Sequence, residues 1–537
     1  MAWTRCWNYS EPGVYFSNLT QAIPIAESEE KYAPLGEQYY CERKGTLMEG
    51  NMDITPKSTS AYFILVILVI AAVAVLVFDV LLFTNARNKE QAKVVLYPAP
   101  AGIQGAADRI ISVENNPLFV YDTAVNFNRA WIKDPKLEKT PVAYFDFSGT
   151  VHVQIKAPGV KIDNVTIRPL FLAIKPVIKG DTLFFTLDKP SQLTIEINND
   201  VHRAIHLFAN PLEENAPKQG DPNVIYFGPG VHEAGQIDVK SNDTVYIAGG
   251  AVVYGWVKGQ NLENVKILGR GIIDGSIYDR WEDTIVPINF EYCKNCTVDG
   301  ILLLNPAAWT VNTYFSENIK INNVKIVSAR SNSDGITTQS CKDLTVTNCF
   351  VRSWDDSLVV KGYDGDVKGV TFDNVILWTD LAQSCEIGYE TRAKTIEDIY
   401  FKNITILHNF HKPALSIHNS DNALVRNVHY DNIVVEDAQM GTGDGANFLI
   451  DLLIKDSQWS QTPKRGNIRD VYYNNITVLG GNFPPSRIQA FSEENTIENV
   501  HINNLKILGK TITTAKEGKF FIGEYDVKNV EFSAKGE

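Results

Sequence analysis

Asp373-Asn374-Val375-Ile376-Leu377-Trp378 reads as one unit of a repeat: a polar residue, an asparagine, then a short apolar strand. The template stands again at Glu263-Asn264-Val265, Asn322-Asn323-Val324, Thr347-Asn348-Cys349 and Lys402-Asn403-Ile404. It continues at Asp431-Asn432-Ile433, Asn474-Asn475-Ile476 and Asn503-Asn504-Leu505. Most intervals are roughly 25 to 29 residues, the period of a solenoid rather than of hairpins. With no helical pattern between them, these strands fit parallel coils, each returning through two further short strands. The asparagine has a structural explanation. At a tight turn it tolerates left-handed backbone angles, and stacked copies hydrogen-bond along the coil axis, with the side chain expected to point inward. The longer gap between Asn432 and Asn475 reads as an insertion, whose Gly-rich start and Trp459 suit a loop over a cleft.

Upstream the pattern changes. Residues 94–211 show alternating runs such as VAYFDF (142–147), VHVQIK (151–156), TLFFTL (182–187) and QLTIEIN (192–198), separated by turn signals. Such spacing predicts a β-sandwich over 94–211, leaving 212–537 for the coils. Ala61 to Phe83 (AYFILVILVIAAVAVLVFDVLLF) is apolar except for Asp79 and is long enough to span a bilayer as a helix over 61–84. It begins too far from the N-terminus for a cleaved signal peptide, so a signal anchor is expected. Residues 1–60 read as a disordered tail carrying Tyr32-Ala-Pro-Leu35, which has the form of a sorting signal. Arg87, Lys89 and Lys93 after the helix favour an inside C-terminus by local charge, but expected glycosylation acceptors beyond it belong outside, and a type II topology is expected. Of the sequons after the helix, Asn164 and Asn242 are expected acceptors, whereas Asn403 and Asn475 occupy the repeated position.

Across its 537 residues the chain carries a net charge of −13, which excludes the basic stripe that nucleic-acid binding needs. Cys293-x-x-Cys296 lacks a matching second pair, so no zinc site is expected. Gly228-Pro-Gly230 and Gly269-Arg-Gly271 open no helix, and no phosphate-binding role or cofactor is implied.

Within the repeats lie Asn332-Ser333-Asp334-Gly335 and Trp354-Asp355-Asp356-Ser357. Asp334 and Asp355 are close to one coil apart and should lie side by side on rungs separated by about 4.8 Å. Inverting glycoside hydrolysis needs one carboxylic acid for the leaving oxygen and a carboxylate base for water on the opposite face. Three clustered carboxylates repel one another, so one holds its proton near neutrality. Consecutive strand residues face opposite sides, so Asp355 and Asp356 can share a cleft only where the strand is broken.

Together with Gly269-Arg-Gly-Ile-Ile-Asp-Gly275 and Asn305-Pro-Ala-Ala-Trp309, these motifs make residues 200–510 resemble glycoside hydrolase families 28 and 49. That resemblance implies a right-handed parallel β-helix with Asp355 as general acid and Asp334 and Asp356 holding the water. Family 28 pectin enzymes carry a Gly-His-Gly segment and an Arg-x-Lys that grips galacturonate. Here Gln383 falls at the His position, and Ser416 and His418 fall where the cations would be. A uronate carboxylate would be left unpaired there. CEIGYETR (385–392) instead resembles the Gly-aromatic-x-x-Arg segment of family 49, which includes dextranase and isopullulanase and also places a β-sandwich before the helix. Lys361, Tyr389, Glu390, Arg392 and His418 join Gln383 as expected sugar contacts. The expectation is a membrane-anchored inverting glycosidase acting on a neutral α-glucan. The alternatives are a pectin or uronide hydrolase and a catalytically silent cell-surface β-helix.

Overall fold

A computed structural model describes residues 92–535 except 284, 441–446 and 525. The expected tail over 1–60 and membrane helix over 61–84 lie outside the described residues. Among the described residues the chain is β-structure with a single 3-10 turn, Leu170–Leu172, and no helix is long and apolar enough to cross a membrane.

From Val224–Phe227 to Val527–Ser533 the strands form one continuous parallel system of coils. Each coil contributes three strands, as in Ile336–Gln339, Lys342–Thr347 and Phe350–Ser353. Register is set by inward-facing apolar residues stacked rung upon rung. On one wall Val311 pairs with Ile336, Ile336 with Leu358, Leu358 with Cys385 and Cys385 with Leu415. On another, Phe372, Phe401, Tyr430 and Tyr473 stack nearly parallel at 5.0, 4.9 and 4.8 Å between successive rings. Offset stacking of this kind adds to the area each ring buries. Cys293, Cys296, Cys341, Cys349 and Cys385 are free and buried.

The repeated asparagines do adopt left-handed angles, with φ of 54° at Asn374, 52° at Asn403 and 56° at Asn432. Their side chains, however, run along the outside of the turn rather than inward. Asn374 Nδ2 donates to Asn348 Oδ1 at 2.8 Å, Asn432 to Asn403 at 3.2 Å, Asn475 to Asn432 at 3.0 Å and Asn504 to Asn475 at 2.8 Å. The residue after each asparagine, not the asparagine, enters the core. A second ladder runs through another turn, where Asn318 donates to Asn295, Asn427 to Asp398, Asn499 to Asp470 and Asn529 to Asn499. Asn242 also belongs to a ladder, accepting from Asn264 at 2.9 Å, while Asn164 is exposed and stands outside both.

The insertion between Asn432 and Asn475 is not simply a loop. Its centre, Ile450–Ile454, is a buried rung that pairs with Leu415–Asn419 on one side and Ser486–Gln489 on the other.

Ahead of the coils stand two sheets. One runs Lys93–Val95, Glu138–Ser148, Ile205–Pro211, Ser191–Ile197 and Val165–Arg168, with Tyr121–Val125 also paired to Glu138–Ser148. The other runs Asn116–Pro117, Ile110–Val113, Val151–Lys156, Thr182–Leu187 and Val177–Lys179. Ile111, Phe145, Val153, Phe185, Leu193 and Leu207 share the core between them. The first sheet also packs on the coils. Tyr144 and Phe208 join Leu302, Phe350 and Trp378 in one apolar cluster, at whose centre buried Arg352 pairs with buried Asp380 and touches His206.

Candidate active site

The turns that lead into the first strand of each coil stack on one another. Thr310 N donates to Asp334 O at 3.0 Å, Gly335 N to Asp356 O at 2.8 Å and Ser357 N to Gln383 O at 2.8 Å. Asp334, Asp356 and Gln383 are therefore equivalent positions on three successive coils. Asp356, rather than Asp355, is level with Asp334, because the register pairs Ile336 with Leu358. The partner of Asp334 on the adjacent rung is thus one residue further on than the sequence spacing suggests. Gly335 is required there, since a Cβ would collide with Ser357 O and the Val351 side chain.

Both Asp355 and Asp356 lie between the strands Phe350–Ser353 and Leu358–Gly362, so the alternation of a strand does not separate them. Hydrogen bonds pin that turn. Ser353 Oγ donates to Asp355 O at 2.7 Å, Asp356 N to Asp355 Oδ1 at 3.0 Å and Gln383 N to Asp356 Oδ1 at 2.9 Å. Asp334 and Asp356 are buried and Asp355 is half-buried.

Burial, then the neighbouring carboxylates Asp355 and Asp356, push Asp334 well above the usual carboxylate range. Burial, Asp355 and Glu386 push Asp356 up to about 7. Lys361 opposes both shifts. Burial of Lys361 favours its neutral form, but Glu390 at 2.8 Å and Asp334 outweigh it, so the ammonium stays charged. Its Nζ also lies 5.6 Å from the centre of the Trp309 ring. The cluster therefore carries a proton to near neutrality beside a fixed cation.

Beyond Gln383 the floor continues as a chain of alternating charge across adjacent rungs. Ser416 Oγ donates to Glu386 Oε2, while His418 bridges Glu386 Oε1 at 2.8 Å and Asp451 Oδ2 at 3.0 Å. Arg487 closes the chain with two bonds of 2.8 Å to Asp451. Burial of His418 favours the neutral ring, but Glu386 and Asp451 outweigh it and raise its pKa to about 9. Burial of Asp451 is likewise outweighed by the His418 and Arg487 hydrogen bonds, which hold it below its ordinary value. The Tyr389 ring stacks on His418 at 4.4 Å.

Of the residues expected from the sequence, Asp334, Asp355, Asp356, Gln383, Lys361 and Glu390 come together, and Tyr389 and His418 form the adjoining floor. Arg392 does not join them. It pairs with Asp364 at 2.7 Å, beyond the opposite end of the strand Leu358–Gly362. Three residues were not singled out. Glu386 lies inside CEIGYETR, and Asp451 lies on the rung hidden in the insertion. Arg280 comes from a loop with no repeat signal. It donates from Nε to Ser331 O and from Nη2 to Asn332 Oδ1 at 2.7 Å, which brings its charge within electrostatic reach of Asp334 and Asp355.

Comparison with known proteins adds to this geometry. A family model described as glycosyl hydrolases family 28 matches residues 231–520. "Probable exopolygalacturonase B" of Neosartorya fischeri is 28% identical over 244 residues, covering 40% of this chain and 52% of that protein. "Exopolygalacturonase" of Zea mays is 22% identical over 292 residues, covering 49% of this chain and 68% of that protein. The chain spans about half the length of most curated relatives it matches. Among solved structures, Dex49A from Penicillium minioluteum superposes with a TM-score of 0.55 over 81% of this chain and 96% of that one, at 16% identity, a likeness of fold.

Proposed function

The chain belongs to glycosyl hydrolases family 28, and from that premise we propose that it is an inverting glycosidase acting on a polysaccharide. The observation that carries the reading is the convergence of Asp334, Asp355 and Asp356 on stacked turns, with a proton retained to near neutrality beside Lys361. Asp355, the most accessible of the three, donates its proton to the leaving glycosidic oxygen. Asp334 and Asp356, level with each other, hold a water and accept its proton as it attacks the opposite face of the sugar. In the substrate-free site burial and mutual repulsion hold the proton on Asp334 and Asp356, so the cycle begins when substrate binding passes it to Asp355.

Over the Gln383–His418 floor the reading is a neutral sugar. Glu386 and Asp451 already occupy the cations there, and a substrate carboxylate would meet two buried carboxylates instead of an Arg and a Lys. A neutral α-glucan is the simplest polymer of this kind. The second reading, a uronide, is favoured by the names of the curated relatives, which are exopolygalacturonases. Reducing-sugar release from dextran, pullulan and polygalacturonate separates the two, and turnover of polygalacturonate alone would overturn the neutral reading. Asp355→Asn should abolish hydrolysis while leaving the melting temperature unchanged. Equal inertness of wild type and variant on a broad glycan panel would instead support a silent cell-surface protein.

The two sheets ahead of the coils are read as a β-sandwich domain over 94–211. Membrane attachment through residues 61–84, with the coils outside, rests on the apolar run Ala61–Phe83. Protease added to sealed right-side-out plasma-membrane vesicles tests that topology by digesting the coils, and digestion only after permeabilisation would contradict it.

A further inference from the structure

The two N-terminal sheets share one core, and the first of them packs on the coils, so the outer face of the second points away from the coils. That face is not flat. A cavity of about 690 Å³ opens on it, within the range of ~300–1,000 Å³ usual for small-ligand sites. Its floor comes from the strands Val151–Lys156, Thr182–Leu187 and Val177–Lys179. One wall is residues 172–175, at and after the 3-10 turn, and the other is the hairpin tip at Glu114 and Asn115.

Strand alternation decides what the floor displays. Val153, Ile155, Phe185 and Leu187 turn into the core between the sheets, which leaves His152, Gln154, Phe184 and Thr186 on the outside. The register sets them in two rows. Gln154 pairs with Phe184 and Phe184 with Val177, while His152 pairs with Thr186. The first row thus joins an amide to a half-buried phenyl ring and to Val177, which is 57% exposed. Leu172 and Ile174, both half-buried, continue the apolar surface up the wall. Lys179 Nζ, from an exposed side chain, is 5.7 Å from the centre of the Phe184 ring.

Polar side chains border this apolar strip. Gln154, Lys175, Thr186 and Asp188 line the cavity, and their side chains have no hydrogen bond or ion pair among the described residues. His152 is held in place, with Nδ1 2.9 Å from Glu114 Oε1 and its backbone N donating to the same oxygen at 2.6 Å. Lys175 and Asp188 offset each other, and an anionic ligand would meet Asp188 and Glu114 as well as the lysine. A neutral sugar suits these groups better. Its C–H face lies on Phe184 and Val177, and its hydroxyls find an amide, a hydroxyl, an ammonium and a carboxylate within one groove.

We propose that this groove is a second glycan-binding site, apart from the catalytic cleft, that takes neutral hexose units of a polysaccharide. Phe184 is its stacking platform, and Gln154 and Thr186 bond the sugar hydroxyls. The inference rests on the proposed function for the class of ligand, and on none of the catalytic residues.

The test is retardation of the full-length protein in native gels that contain dextran, pullulan or polygalacturonate, in a detergent without a sugar head group. Asp355→Asn serves as the background so that the polymer is not degraded. At least one neutral polymer should retard the protein, and Phe184→Ala should weaken that binding at least about 5-fold. Gln154→Ala combined with Thr186→Ala should weaken it as well. That pair removes no side-chain bond of the folded protein, and so covers the case in which loss of the Phe184 ring disturbs the sheet. Retardation left unchanged in both variants overturns the proposal, because the cleft then accounts for all of it. Absence of retardation by either neutral polymer overturns it too, as does groove-dependent retardation by polygalacturonate alone. Sedimentation as a dimer that Phe184→Ala dissociates would assign the face to a second copy of the chain and overturn it likewise. Groove-dependent retardation, with no hydrolysis of any glycan when Asp355 is intact, keeps the site and sinks the hydrolase reading. Hydrolysis together with groove-independent retardation does the reverse.

Discussion

Replacing His418 by glutamine removes the one cation that bridges Glu386 and Asp451 and leaves two buried carboxylates with only Ser416 and Arg487 between them. The raised pKa of His418, about 9 against an ordinary value of 6.5, sets the size of the effect. A difference of that size corresponds to about 3 kcal/mol at ~1.36 kcal/mol per pKa unit. A histidine whose folded pKa is raised contributes its full stability below the unfolded value. It loses that contribution as pH rises through the folded one. The gap in unfolding free energy between wild type and His418→Gln should therefore be widest near pH 6 and narrow by about 3 kcal/mol by about pH 9.5. The groups that face His418 are Glu386, Asp451 and Tyr389, with Arg487 behind Asp451 and Lys455 over the Tyr389 ring. Asp356 also titrates in this window, but it is present in both proteins and largely cancels in the difference. Urea denaturation across a pH series, with unchanged m values, measures the gap. A gap that does not vary with pH would refute the reasoning, because it would mean that His418 is neutral in the folded protein.

Lys361→Met should move the acidic limb of the pH–rate profile upward by about 1 unit or more, because Lys361 is the cation that lowers both Asp334 and Asp356. An unmoved limb would dissociate that lysine from the aspartates' titration. Arg352→Leu leaves Asp380 fully buried without its partner and should cost about 3–5 kcal/mol of unfolding free energy by chemical denaturation. In the ladder, Asn403 has a φ of 52°, donates to Asp373 at 2.7 Å and accepts from Asn432 at 3.2 Å. Asn403→Ala should cost about 2 kcal/mol, from the left-handed angle and the lost rung together, whereas Asn403→Gly, which tolerates the angle, should cost about 1 kcal/mol. Equal losses in the two variants would show that the backbone angle contributes nothing.

The solenoid was legible because its asparagines are exposed at turns, where few other residues accept a left-handed angle. The period survives even as the strands between them vary. The same repeat hid a second signal. Phe372, Phe401, Tyr430 and Tyr473 each stand two positions before a ladder asparagine, and they form the aromatic column of the core. The direction of the asparagine side chain was misread because stacking along the axis needs neither burial nor an inward orientation. The aspartates were found by spacing, but counting residues could not fix which of Asp355 and Asp356 faces Asp334. Turn lengths differ between coils, and only the pairing of Ile336 with Leu358 decides the register. Asp451 was lost for the opposite reason. A rung enclosed by loop-like sequence lacks the polar-Asn-apolar template that announces the coils. Arg280 could not be found by any reading of the repeats, because its position depends on a loop of the N-terminal sheets closing against the coils.

Specificity and acidity meet at Glu386. One neighbour is Asp356, whose proton it helps to retain, and the other is His418, which balances its charge. In the pectin-enzyme pattern that this chain resembles, the positions of Ser416 and His418 hold two strong cations. Those cations would face a substrate carboxylate and would also draw down the pKa of every carboxyl nearby. Here a hydroxyl and a histidine already saturated by Glu386 and Asp451 take their place. The exchange removes the grip on a uronate and keeps Asp356 high in the same stroke.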